Sequence, residues 1–122
     1  MMDKSRVIGA AVSALENIKE LVERLEQGDE TAHDDILVVP ISVQVRSGWY
    51  TPGAGSPAPA EYRILLITGG PAVQITGTLG RWGEPKTAKI QYQDWFAPWE
   101  ELETSAEDEE ALLTFARQFY YG

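Results

Sequence analysis

The sequence predicts an α+β fold, a two-layer sandwich in which an N-terminal and a C-terminal helix flank a four-stranded antiparallel sheet, in the order α-β-β-β-β-α. Three observations carry this prediction. Residues 4–27 repeat apolar side chains at three- and four-residue steps, the period of an amphipathic helix. Residues 61–79 hold two β-rich runs separated by Gly69-Gly70-Pro71, the composition of a hairpin turn. Residues 104–110 place Thr104 and Ser105 three positions before acids, the signature of a helix start.

The first helix presents Val7, Ile8, Ala11, Val12, Leu15, Ile18, Leu21, Val22 and Leu25 as one broad stripe. Asp3 or Ser5 is placed to cap it, and Gly28 to end it. Lys19–Glu23 and Glu20–Arg24 have the spacing of ion pairs on its wet face. A polar connector follows over 29–35, and then a strand over 36–46, with Leu37, Val39, Ile41, Val43 and Val45 on one face. Pro40 has no amide to donate, which puts this strand at a sheet edge.

Residues 51–60 contain three prolines, two glycines and three alanines, so they read as a flexible loop inside a single domain spanning 1–122. The hairpin supplies the spine of the sheet. Its first strand is apolar on both faces from Ile64 to Ile67. Its second alternates Val73, Ile75 and Leu79 against Gln74, Thr76 and Thr78. A fourth strand over 86–93 turns Ala88, Ile90 and Tyr92 inward and Lys89, Gln91 and Gln93 outward. The last helix, over 105–120, takes its apolar face from Leu112, Phe115, Ala116, Phe119 and Tyr120. The outward residues of the strands make the far face of the sheet polar.

The net charge is −9 and unevenly placed. Residues 1–35 hold nine acids against four bases, residues 94–122 hold eight against one, and the middle holds two against five. An acidic surface repels phosphate backbones and favours basic protein partners. There is no cysteine, so disulfides, thiolate metal sites and a cysteine nucleophile are excluded. No apolar signal core or membrane-length run is present, which fits a soluble cytoplasmic protein.

No motif of catalysis appears. His33 is the single histidine, and its neighbours Asp29, Asp34 and Asp35 match no calcium-loop spacing, so no metal site is assigned. Ser47 and Ser56 lack a nucleophile-elbow context, the carboxylates fall in runs, and no glycine-rich turn has the phosphate-cradling pattern. The reading is therefore non-enzymatic, with no catalytic residue and no cofactor.

What remains is recognition. Trp49, Tyr50, Trp82, Trp95, Phe96 and Trp99 all fall at strand ends or in turns, and Trp49 and Trp82 each lie near an arginine, Arg46 or Arg81. Aromatic and arginine side chains anchor protein interfaces and also stack on single-stranded bases. The acidic run from Glu100 to Glu110 has seven acids and no base. The candidate partner-binding residues are Trp49, Tyr50, Arg81, Trp82, Glu100, Glu101 and Glu103. The expected function is a small acidic binding module, an adaptor or inhibitor engaging a protein partner, of the kind found among bacterial or phage accessory proteins. The alternatives are a single-stranded nucleic-acid binder and a small-ligand-binding protein.

Overall fold

In a computed structural model, which describes residues 4–55, 57–95 and 97–122, the chain forms an α+β sandwich. Asp3, Ser56 and Phe96, which the sequence suggested as a cap, a loop position and an aromatic at a strand end or turn, lie outside the described residues. Helix α1 spans Ser5–Glu26, α2 Ala32–Leu37 and α3 Ala106–Ala116. The strands are β1 Ser42–Ser47, β2 Pro59–Ile67, β3 Ala72–Thr78, β4 Lys89–Gln93 and β5 Glu100–Glu101. They follow one another as an antiparallel meander in the order β1-β2-β3-β4-β5. The sheet thus has five strands where the sequence predicted four. The fifth is two residues long and shows no alternation by which to recognise it.

Alternation decides which face each strand buries. Ile64, Ile75 and Ile90 are in direct register across β2, β3 and β4, and all three are fully buried. Cross-strand neighbours of this kind stand about 4.5–5.5 Å apart at Cβ, so the three side chains form one continuous row. On that row lies α1, through Ala11, Leu15, Ile18 and Val22, and beside it α3, through Leu112, Phe115 and Ala116. The two helices pack on each other and α1 also packs on β3 and β4, which makes the two-layer arrangement predicted from their stripes.

Helix α1 ends as its sequence foretells. Gly28 sits at φ +82°, its amide donates to Leu25 O, and the next amide, Asp29, reaches back to Arg24 O. These two bonds satisfy carbonyls that the helix end would otherwise leave open. The start differs: the capping position is Lys4, which makes no side-chain cap bond, and Ser5 is already helical. The predicted pairs on its wet face are also replaced. Lys19 reaches Asp108 of α3 at 3.0 Å, and Arg24 holds Asp29 and Asp35, each at 2.8 Å.

Residues 36–41 are not the start of a strand. Ile36 belongs to α2 and is buried one turn beyond Ala32, which is buried as well. Burial of that pair outweighs the β preference of the following Leu-Val-Val, and β1 begins only after Pro40. At the far end of the chain α3 stops at Ala116, so the two tyrosines after it exchange roles. Tyr120 is exposed, whereas Tyr121 is buried against Tyr62 with ring centroids 5.1 Å apart, its hydroxyl donating to Ala116 O at 2.6 Å.

The start of α3 is a reciprocal capping box: Asp108 N–H donates to Ser105 Oγ at 3.0 Å, and Ser105 N–H donates to Asp108 Oδ2 at 3.1 Å. Ser105→Ala is expected to cost about 1 kcal/mol of stability in urea unfolding. Lys19, and secondly the Ser105 amide, hold the Asp108 carboxyl below its ordinary value near 3.8. A lowered folded-state value means that this stabilisation is complete above the unfolded pKa and is lost as pH falls through the folded one. The stability difference between the wild type and Asp108→Asn should therefore shrink in acid, below about pH 4.

Candidate functional site

In a meander, alternate connections emerge at the same end of the sheet. The β1–β2 loop and the β3–β4 loop therefore share one end, and they carry Trp49 and Tyr50 on the first and Arg81 and Trp82 on the second. The β3–β4 loop is tightly tied. Leu79 N–H donates to Ala60 O, Gly80 N–H to Glu84 O, and Trp82 N–H to Glu84 Oε2, while Lys86 pairs with Glu84 at 3.1 Å. Yet its tip leaves Trp82 84 % exposed, with the Arg81 guanidinium 5.5 Å from the ring centroid. Trp49 is fully exposed and Tyr50 more than half exposed.

Tyr120 joins this end. Its neighbour Tyr121 packs on Tyr62, which faces Gly77 near the β3–β4 loop, and Arg117 reaches Pro85 O of that loop at 3.4 Å. Four exposed aromatics thus project from one end of the molecule. The sequence assigned Tyr120 to the core instead, because it continues the helical period past the point where α3 stops.

The edge beside this end is open. Among the described residues β1 pairs only with β2, and Val43 and Val45 lie in register with the core residues Ile64 and Tyr62, so they continue the apolar face of the sheet. Among the described residues no helix covers that continuation: Val43 is 37 % exposed and Val45 44 %, and Ile41 before them is exposed too. Val38, in the connection leading to β1, is more exposed still. An edge strand presenting free backbone groups beside uncovered apolar side chains is a ready template for another strand. The alternation at 41, 43 and 45 was legible in the sequence. That the helices stop short of it was not.

The acids Glu100, Glu101 and Glu103 stand elsewhere, on and just after β5, the opposite edge of the sheet from β1. Glu100 pairs with Lys4 at 3.0 Å, Asp108 with Lys19, and Glu109 with Lys89. Three of the seven acids in this run are therefore engaged within the molecule. Glu101 and Glu103 are exposed.

Two of the acids near His33, Asp29 and Asp35, are also occupied structurally. Asp29 accepts from Arg24 and from both the amide and the hydroxyl of Thr31, and the Arg24 contact above all pushes its carboxyl down to about 2. His33 Nδ1 lies 3.2 Å from Gln118 Oε1. Among the described residues no group of three or more histidines and acids is arranged to hold a metal ion. Nor is any helix among them long and apolar enough to cross a membrane.

The polar face of the sheet, away from the helices, holds a cavity of about 550 Å³ walled by Gln44, Arg63, Gln74, Lys89, Gln91 and Trp99, among others. This is the face that the sequence marks as polar, but Gln74 on it is nearly fully buried. Comparison with protein families, with curated proteins and with solved structures finds no match, so no relative's activity bears on this chain.

Proposed function

We propose that this protein is a non-enzymatic binding module, an adaptor or inhibitor whose protein partner adds an extended segment to the free edge of β1. The observation that carries this reading is the uncovered apolar row Ile41–Val43–Val45 on that edge. Main-chain bonds to the edge would supply affinity, and side chains packing on alternate residues would supply selectivity. Trp49, Tyr50 and Trp82 at the adjoining end are the residue types that dominate binding energy in protein interfaces. The acids of the β5 edge, Glu101 and Glu103 in particular, would steer a basic partner by long-range attraction.

The test uses Val45→Lys, which places a charge on the edge, and Trp49→Ala. Both positions are exposed, so both variants should keep their stability within about 0.5 kcal/mol. Tagged wild-type protein should capture from its native host a partner that both variants lose. A captured set that neither substitution changes would refute the reading, while a concentration-dependent dimer lost in Val45→Lys would make the partner a second copy of the chain. The single-stranded nucleic-acid alternative draws on the Arg81–Trp82 stack, and the net charge of −9 opposes it. Titration with a mixed-sequence oligonucleotide at physiological salt separates the two.

A further inference from the structure

Gln74 occupies the centre of β3 on the polar face, in register with Leu65 of β2 and Gln91 of β4. It is 4 % exposed, the one buried polar side chain among the described residues. Its Nε2 donates to Gln91 Oε1 at 2.8 Å, and its Oε1 has no hydrogen-bond partner among those residues. Exchanging amide oxygen and nitrogen in both glutamines would leave the same position unpartnered, now as a donor. A leucine of similar size would carry no such penalty there, so stability alone does not account for this amide.

The charges around it are unequally balanced. Of the three cations lining the cavity, Arg46 is paired with Glu61 and Lys89 with Glu109. Arg63 has no carboxylate partner among the described residues, and it donates only to the Gln44 amide oxygen. Arg63 faces Thr76 while Gln74 faces Leu65, so the two are diagonal neighbours across β2 and β3, about 7–8 Å apart at the backbone. Trp99 in the wall adds an aromatic surface on which an apolar ring face can rest. The volume is that of a small-molecule site.

We propose that this face binds a small hydroxylated anion, a sugar acid or a sugar phosphate, with its acid group on Arg63 and a hydroxyl on the Gln74 amide. A planar guanidinium matches either acid group with two parallel bonds. The unpartnered Gln74 oxygen is itself enclosed, so a ligand hydroxyl reaches it only when the wall over it moves aside; a hydroxyl both donates and accepts, so it then completes the amide in either orientation. The site lies mainly on the sheet face opposite the apolar row of β1, although Val45 of that row also lines it; the small-molecule proposal does not rest on the protein-partner reading.

The experiment titrates the protein with glucuronate, glucose 6-phosphate and glucose, following the side-chain amide signals of Gln74 and Gln91 by NMR and the affinity by calorimetry. At least one of the two anions should bind and move both amide signals, and glucose should bind about tenfold more weakly or not at all. Whichever anion binds better identifies the acid group. Arg63→Met, at an exposed position, should weaken that anion about tenfold or more. Gln74→Leu should weaken it likewise without lowering the unfolding midpoint. Silence from all three compounds, binding of glucose as tight as that of the anions, or an affinity unmoved by Arg63→Met would each overturn the proposal. So would a Gln74→Leu variant that loses stability but keeps its affinity.

Discussion

Phe115→Ala is expected to lose about 3–5 kcal/mol of folding free energy, the largest effect of any single truncation in the core. Phe115 is the largest of the fully buried side chains, and it stacks at a tilt on Phe119 with centroids 5.4 Å apart. It lies in α3 within the cluster that includes α1 and the sheet, so the void left by its removal would border elements that cannot easily close on it. Domains of this size are stable by only about 5–15 kcal/mol, so the variant should sit near the limit of folding at room temperature. Urea unfolding gives the measurement, and Tyr120→Ala the contrast. That aromatic is exposed, and its loss should change stability by no more than about 0.5 kcal/mol. Equal losses at the two positions would mean that the C-terminal end is packed differently.

Gly77→Ala should cost about 2–4 kcal/mol for a single added methyl group. The Cβ would overlap the Thr87 carbonyl oxygen and stand 2.7 Å from Tyr62 Cε1. Tyr62 is the residue that donates to that same carbonyl at 2.7 Å, so making room for the methyl displaces the ring, the hydrogen bond and the Tyr121 contact together. Overpacking of this kind costs about 1–3 kcal/mol, and the lost bond about 1 more. The same substitution at Gly9 should act in the opposite sense. That residue is exposed within α1 and has nothing near its absent Cβ, so alanine should gain up to about 1 kcal/mol from helix propensity. Thermal unfolding of the pair, with tyrosine near-UV dichroism to follow Tyr62, separates crowding from any general effect of replacing glycine. A Gly77→Ala protein as stable as the wild type would show that β3 and the β3–β4 loop do not approach this closely.

The parts of the fold legible in the sequence were those whose signals extend over several turns or pleats. The stripe of α1, the inward and outward residues of β3 and β4, and the Ser105–Asp108 capping box all follow from spacing alone. Two elements were too short for any period to show: the six residues of α2 and the two of β5. The boundary of α3 was missed because Phe119 and Tyr120 keep the helical spacing after the hydrogen-bonded turns have ended. For the candidate site, the loop aromatics could be read from the sequence, and the meander order already implies that Trp49 and Trp82 share an end. The exposure of Val43 and Val45 could not be read, since it depends on where two helices lie across a five-stranded sheet. Nor could the burial of Gln74, which alternates in β3 like any residue of a wet face.

The first helix is also the last to be completed. Its apolar stripe is covered by β3, β4 and α3, the nearest of them some fifty residues further along the chain and the last about ninety. Synthesis proceeds at about 5–20 residues per second, so the stripe waits on the order of several seconds with only the short α2 beside it. Through that interval Ile18, Leu21 and Val22, buried in the finished protein, would lack their cover, and a β1–β2 pair formed in the meantime would present an apolar face of its own. A nascent chain in this state would offer a chaperone the stripe of α1 and the β2 half of that face, both of which the finished protein conceals, while the β1 half stays open even there. A chain interrupted before α3 keeps part of them permanently open, because Leu112 and Phe115 are the residues that close the helical layer.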